Sequence, residues 1–418
     1  MTEPGRTSGP GMQLIDEEEK RELLEVLEGG YLYRYGSPDN PAFKAKVYQL
    51  EQQVSKLVGV PYAVAMNSGT SALQVALSGL GIGPGDEVIV PGYTFIASIS
   101  SIIYARAIPI LAEVDRTLNL DPQDVRAKIT PRTKAIMAVH MLGNPARLDE
   151  LKAIADEHGL VLIEDCAQAF GASYKGRRVG SIGHAGTYSF NIFKTITAGD
   201  GGMVVTSDEA AYRRFFGLHD QGHSPLRMGV EVGQRPFVGQ DFRMTEITAA
   251  ILLAQLRKLD SILARLRANK RRFKEGIADL PGLEFRELPD PDGELATLLT
   301  VFLPSEEIAR NIARKLGTKV VADSGWHVYS NMEQILEKRT VTPEGCPFTC
   351  PYYKGGEVKY WKGMLPQTDA LLVRAINIGI GVSDPGLGSA FGLTVRDGFD
   401  AVDARIAEFR RVAKEYLQ

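Results

Sequence analysis

Between residues 62 and 207 the chain alternates short, almost wholly apolar runs with longer amphipathic stretches. The runs are YAVAM (62–66), EVIVP (87–91), IPILAEV (108–114), KAIMAVHM (134–141), LVLIEDC (160–166), TYSFN (187–191) and GMVVTS (202–207). Stretches between them place apolar residues at helical spacing, as in SALQVALSGL (71–80) and LDELKAIADEHG (148–159). Strands alternating with helices predict an α/β layer on a mostly parallel sheet. Sheets of that kind bind ligands in loops at the carboxyl ends of their strands.

The longest apolar stretch, Val88 to Val114, holds only Arg106 and Glu113 as charges and is long enough to raise a membrane span. Pro91, Gly92 and Pro109 divide it into strand, turn, helix-like segment and strand, so buried packing is the better reading and no membrane partner is expected. A charged fraction of 24% against a hydrophobic fraction of 44% excludes a disordered, collagen-like or disulfide-scaffold chain. The net charge of -3 gives no global attraction to nucleic acid. Cys166, Cys346 and Cys350 are too few for a disulfide framework, which fits a reducing, cytoplasmic setting.

At 418 residues, two or three domains are expected. The opening MTEPGRTSGPG has no apolar core for a secretory signal and reads as a loose tail, residues 1–13. A large domain follows over residues 14–262 and a smaller α+β domain over 263–418. A long helix is predicted from Met244 to about Ile277. Beyond it come a strand at 297–304, a helix at 305–317 and a closing helix at 399–417. An irregular aromatic segment, Trp326 to Trp361, lies between them.

Three strings carry chemistry. NSGTSAL (67–73) joins a strand to a helix, where small residues and free N–H groups favour a phosphate, although alone an ordinary helix cap explains it better. LVLIEDCAQAFG (160–171) sets Glu164 and Asp165 at the end of an apolar strand, where a carboxylate needs a partner. Asp165 either caps the next helix or is an anion held for a cationic ligand atom. TYSFNIFKTITAGDGGMVV (187–205) carries Lys194 among apolar residues and glycines. Burial would lower its pKa and make it a nucleophile, while a solvated lysine is the default alternative. His219 and His223, four apart, lack the glutamate of a zinc helix, and Cys346 and Cys350 lack a second pair, so no metal is expected.

Together, a phosphate loop, a strand-end aspartate and a loop lysine are what pyridoxal 5′-phosphate requires. The strings NSGTSAL, GDEVIVPGYTF, PILAEVD, LIEDCAQAFGASYKGRRVGSIG, SFNIFKTITAGDGG and GQDFRMTEITAAI closely resemble the DegT/DnrJ/EryC1/StrS aminotransferases over roughly residues 12–285. Within that family, GYLYRYG, KTITAGDGG and ELPDPDGE look nearest the 8-amino-3,8-dideoxy-manno-octulosonate transaminase type. The resemblance implies a fold-type I (aspartate aminotransferase-like) enzyme: a large, mostly parallel seven-stranded α/β domain with a smaller α+β domain behind it. It implies pyridoxal 5′-phosphate as cofactor, with pyridoxamine 5′-phosphate as its amino-carrying form. Lys194 would bond the cofactor aldehyde and later act as acid and base. Asp165 would pair with the ring nitrogen, and Gln168 would lie near the ring hydroxyl. Phe95 would stack on the ring, and Gly69, Thr70 and Ser189 would hold the phosphate. Arg243 would sit near the amino donor's carboxylate or at a subunit interface.

One residue departs from the family pattern. Asp241 stands where G-x-N-x-R usually has Asn, which reaches the neighbouring subunit's phosphate. Its backbone N–H makes the contact, or it turns away, or a cation compensates. The resemblance further implies a homodimer with shared sites. It implies amino transfer from an amino acid, expected to be L-glutamate, to a keto group of a sugar, sugar acid, cyclitol or related intermediate. A sugar dehydratase on the same scaffold is the first alternative, though that branch carries histidine in place of the lysine. A non-catalytic regulator on the same fold is the second. The strings GYLYRYG (30–36) and Trp326–Trp361, with Trp326 and His327, are candidate acceptor-recognition elements.

Overall fold

The structure is a computed structural model and describes residues 7–37, 39–225 and 234–417. Its strands are β1 (Tyr62–Met66), β2 (Glu87–Pro91), β3 (Ile108–Ala112), β4 (Thr133–Val139), β5 (Val161–Asp165), β6 (Ser173–Tyr174), β7 (Arg177–Arg178), β8 (Ala185–Ser189) and β9 (Gly202–Thr206). β10 (Glu284–Phe285), β11 (Leu298–Phe302) and β12 (Ala375–Gly379) follow. The main sheet has seven strands in the order β1-β9-β8-β5-β4-β2-β3. β9 alone runs against the others. All seven strands read from the sequence are present. β6 and β7 form a separate hairpin, and β10-β11-β12 form an antiparallel sheet in the C-terminal part.

Both faces of the main sheet are covered, and strand pleating decides which residue serves which face. On β1, Ala63 and Ala65 join one apolar layer, while Val64 and Met66 join the other. On β5, Leu162 and Ile163 divide in the same way. The next two residues therefore part company: Glu164 follows Leu162, and Asp165 follows Ile163. The Asp165 face is packed by the helices Gly69–Gly79 and Ile96–Tyr104, through Ala72, Leu73, Ile99 and Ile102.

The long helix runs over Glu246–Ile277, with Thr245 capping its N-terminus. At 32 residues it extends about 48 Å. The expected boundary near residue 262 therefore falls inside one continuous helix. Two helices the sequence reading did not single out, Glu17–Gly29 and Lys46–Val58, pack against it. The first opens with a reciprocal capping box between Asp16 and Glu19. Among the described residues no helix is long and apolar enough to cross a membrane.

One expectation needs correcting. Within the stretch read as a loose tail, Ser8 and Gln13 are 1% and 6% exposed, and Pro10–Gln13 forms a short helix. Tertiary hydrogen bonds hold this segment despite its loop-like composition.

On the long helix, Phe273 is fully buried and meets Phe409 of the closing helix Phe399–Ala413 edge-on, at 6.3 Å between centroids. Phe273→Ala is expected to destabilise the protein by about 3–5 kcal/mol, read as a lower urea midpoint.

Candidate active site

The two adjacent carboxylates of β5 do different work. Glu164 is fully buried and accepts N–H groups from Gly180 (2.7 Å), Ile182 (2.7 Å) and Gly183 (2.6 Å). His140 Nε2 lies 3.1 Å from the same carboxylate, while its Nδ1 accepts the Ala146 N–H at 3.0 Å. That pattern puts the imidazole proton on Nε2. Burial pushes the Glu164 carboxyl up, but His140 and the backbone donors outweigh it and hold it below its ordinary value. His140, Glu164 and Cys166 bring ligand-type atoms within 4.8 Å of one another, yet the first two are engaged with protein donors. Glu164 thus anchors the 180–183 loop.

Asp165 is 4% exposed and faces the other way. Its Oδ2 accepts the Ser98 hydroxyl at 2.7 Å, and Oδ1 accepts the Ala167 N–H at 3.0 Å. Thr94 Oγ1 is 2.7 Å from Ser98 Oγ, so a hydroxyl chain fixes the carboxylate from the Ile96–Tyr104 helix. Lys194 lies in the irregular loop between β8 and β9 and is half-buried. Desolvation pushes its ammonium below the ordinary value, opposed by the charges of Asp165 and Asp384. Ser98, Thr94 and Asp384 were not among the expected site residues. A serine on an apolar helix and an aspartate in a glycine-rich turn carry no signal until the fold brings them in.

Beside this pair the backbone forms a cradle. Ser68 caps the helix Gly69–Gly79 by accepting the Ser71 N–H. The N–H groups of Gly69 and Thr70 lie in the first turn, where a helix has no internal partners for them. Added at Gly69, a Cβ would lie 2.6 Å from Ser189 Cβ; at Gly202, it would lie 2.0 Å from the Ser68 carbonyl oxygen. Glycine is required at both places to bring the helix start, the end of β8 and the start of β9 together. Thr70 is exposed, and Ser189 is 8% exposed. Gln168 turns its Oε1 to the Leu142 N–H at 2.9 Å.

Phe95 precedes the Ile96–Tyr104 helix and is 40% exposed. The start of the aromatic segment runs alongside it: Thr94 N–H donates to the His327 carbonyl (2.9 Å), Ile96 N–H to Trp326 (3.0 Å) and Tyr329 N–H to Gly92 (2.9 Å). The Phe95 and His327 rings are 5.4 Å apart, and Ser324 Oγ is 2.9 Å from His327 Nδ1. Trp326 remains 58% exposed.

Asp241, the residue that departs from the family pattern, is paired with a cation within its own chain. Arg243 bonds Asp241 at 2.6 Å and Asp220 at 2.6 Å, with its guanidinium 5.3 Å from the Tyr33 ring centroid. Asn67 N–H donates to the Phe242 carbonyl at 2.8 Å, which ties this cluster to the loop that opens the cradle. The GYLYRYG string joins it too: the Tyr35 hydroxyl donates to Asp220, and buried Arg34 pairs with Glu51 at 3.0 Å. His219 Nε2 faces Arg34 Nη1 at 2.8 Å, and its Nδ1 contacts the Phe216 carbonyl, so both ring nitrogens are engaged by the protein. A separate groove of about 860 Å³, lined by Asp115, Arg116, Arg147, Gln367 and Arg374, lacks this convergence, and its Arg147 is spent on Asp115 and Glu287.

Burial holds both His219 and His327 down to a pKa of about 3, helped by Arg34 and Lys194 respectively. Their folded pKa values lie below the unfolded value, so the folded state binds fewer protons. Their contribution to stability is present above about pH 6.5 and declines as the pH falls toward 3, by up to about 1.4 kcal/mol per pH unit for each ring. His219→Gln is expected to flatten the fall in urea midpoint between pH 6.5 and 5.

The chain is similar to known proteins in sequence and in fold. Over 251 residues the chain is 42% identical to GDP-perosamine synthase from Caulobacter vibrioides, covering 60% of this chain and 64% of that protein. It is 40% identical over 276 residues to L-glutamine:2-deoxy-scyllo-inosose aminotransferase from Streptoalloteichus tenebrarius, covering 62% and 65%. These matches therefore span a little under two thirds of each relative. Among solved structures, 3-amino-5-hydroxybenzoic acid synthase superposes with a TM-score of 0.77 at 27% identity, covering 98% of this chain and 99% of that one. An aminotransferase from Psychrobacter cryohalolentis gives 0.76 at 29% identity, covering 96% and 98%. The profile of the DegT/DnrJ/EryC1/StrS aminotransferase family matches residues 13–377, and the chain belongs to that family.

Proposed function

We propose that the protein is a pyridoxal 5′-phosphate-dependent aminotransferase. It would move an amino group from L-glutamate to the keto group of a sugar, sugar acid, cyclitol or related intermediate. The observation that carries this reading is a half-buried Lys194, its ammonium destabilised by desolvation, within the field of the Asp165 carboxylate beside a glycine-built anion cradle. The residues fit the group: N–H donors and a serine suit a phosphate, a buried carboxylate suits a ring N–H, and an amine of lowered pKa suits an aldehyde. When bound, pyridoxal phosphate supplies that aldehyde and an electron-poor ring that spreads the charge left when a carbon loses its proton.

The chain's own residues then have defined tasks. Gly69, Thr70 and Ser189 would hold the phosphate. Asp165, fixed by Ser98 and the Ala167 N–H, would keep a proton on the ring nitrogen. Phe95 would cover one ring face, and Gln168 would lie beside the ring hydroxyl. Lys194 would bond the cofactor and then shuttle the proton of the donor carbon. The net reaction balances as amino acid plus ketone giving 2-oxo acid plus amine. Relatives named as GDP-perosamine synthase and as an L-glutamine:2-deoxy-scyllo-inosose aminotransferase support sugar or cyclitol ketones. The second name makes L-glutamine the donor to compare with L-glutamate. A homodimer is part of the reading: Leu24, Leu27 and Leu32 are 54%, 49% and 47% exposed, a surface suited to burial against a second copy. The intact Lys194 weighs against the dehydratase alternative.

Purified protein given pyridoxal phosphate is expected to show a lysine-bonded absorbance band that L-glutamate or L-glutamine converts to the amine form. Lys194→Ala should lose that band and slow turnover by about 10²–10⁴-fold or more. Absence of cofactor binding sinks the reading, and a band that no amino acid converts turns it toward the dehydratase or non-catalytic alternatives. Sedimentation tests the dimer.

A further inference from the structure

Residues 8–13 occupy a seam between the Lys194 loop and the C-terminal part of the chain. On one side the Gly9 N–H donates to the Ile192 carbonyl at 2.9 Å, and the Gly11 N–H to the Lys194 carbonyl at 3.4 Å. On the other side the Ser383 N–H donates to the Ser8 carbonyl at 3.0 Å, next to Asp384. The Gln13 amide secures the second side. Its Nε2 donates to the carbonyls of Gly381 (3.0 Å) and Ser8 (3.3 Å), and its Oε1 accepts the Val395 N–H at 2.8 Å. Both amide hydrogens and the oxygen are thus used.

The fit is close enough to exclude side chains. A Cβ at Gly9 would lie 2.2 Å from the Phe193 carbonyl oxygen. One at Gly11 would lie 2.7 Å from Gln255 Oε1 and 2.8 Å from Thr197 N. Lys194 itself belongs to no helix or strand. Its loop is held locally by Lys194 N–H to the Asn191 carbonyl (3.0 Å) and Phe193 N–H to Asn191 Oδ1 (3.1 Å), so the aim of the amine depends on what packs over that loop.

We propose that Gln13, acting through Gly9 and Gly11, positions Lys194: residues 8–13 are a strap that holds the Lys194 loop against the loop carrying Asp384. The inference rests on Lys194 being the cofactor-bonding lysine. The strap limits the excursions of irregular backbone and so of the amine, which lies within the fields of the Asp165 and Asp384 carboxylates. A shift of about 1 Å in a reacting group is enough to cost some 10²-fold in rate.

Gln13→Met keeps the side chain's length and removes its hydrogen bonds, and Gly11→Ala presses on the Thr197 side. Hydrogen exchange is read across the chain in cofactor-free protein, and the donor half-reaction is measured with L-glutamate and L-glutamine after loading. In both variants the amides of residues 192–197 are expected to exchange about five- to tenfold faster, while β4 and β5 keep their rates. The half-reaction kcat is expected to fall about tenfold, with donor KM within about twofold. Unchanged exchange at 192–197, or a rise spread equally over β4 and β5, overturns the strap. Faster loop exchange with an unchanged kcat overturns the positioning of Lys194. If the parent protein transaminates nothing, the functional reading fails, and the exchange pattern in cofactor-free protein still decides the strap.

Discussion

A carboxylate at the inner end of a fully covered sheet is the constraint on which the rest of the site depends. Asp165 is almost completely withdrawn from water, and a charge so placed demands compensation. The Ser98 hydroxyl and the Ala167 N–H supply hydrogen bonds to it, and its charge in turn acts on Lys194. The same low-dielectric setting holds the Lys194 ammonium below its ordinary value. Burial therefore has two consequences: the aspartate needs hydrogen-bond donors around it, and the lysine ammonium is held below its ordinary value.

Pleating separates this role from a structural one. Glu164 and Asp165 are neighbours in sequence, yet they point to opposite faces. Glu164 is saturated by His140 and three backbone N–H groups, which leaves it a pin for the 180–183 loop. Asp165 keeps its face toward the loops at the carboxyl ends of β1, β5 and β8. There Gly69 and Gly202 remove the side chains that would keep the backbone apart. The cradle is thus a consequence of close approach, and the anion preference of a helix start is a consequence of its unpaired N–H groups.

Much of this was legible along the chain. The alternation of apolar runs with helical stretches located all seven strands, because a covered sheet needs apolar residues wherever a strand passes. Asp165 at a strand end and Lys194 in a glycine-rich loop could be singled out as candidates, while Gly69 and Ser189 were named through the family resemblance. Asp241 could be singled out from the string alone, but its pairing with Arg243 belongs to a folded cluster that also draws in Tyr33 and Asp220. The helices Glu17–Gly29 and Lys46–Val58 were missed among polar residues. The segment 8–13 was misread because glycine and proline signal looseness locally, while its order comes from partners as distant in sequence as Gly381 and Val395.

The sequence by itself determined the layer architecture and the strings in which Asp165, Lys194 and the Gly69 helix start lie. Those properties follow from periodicity and functional-group chemistry, which are local. Only the tertiary structure decided which carboxylate faces the lysine, which hydroxyls steady it and what covers the loop that carries it. Each of those depends on contacts between segments tens to hundreds of residues apart, and no local pattern encodes the distance between them.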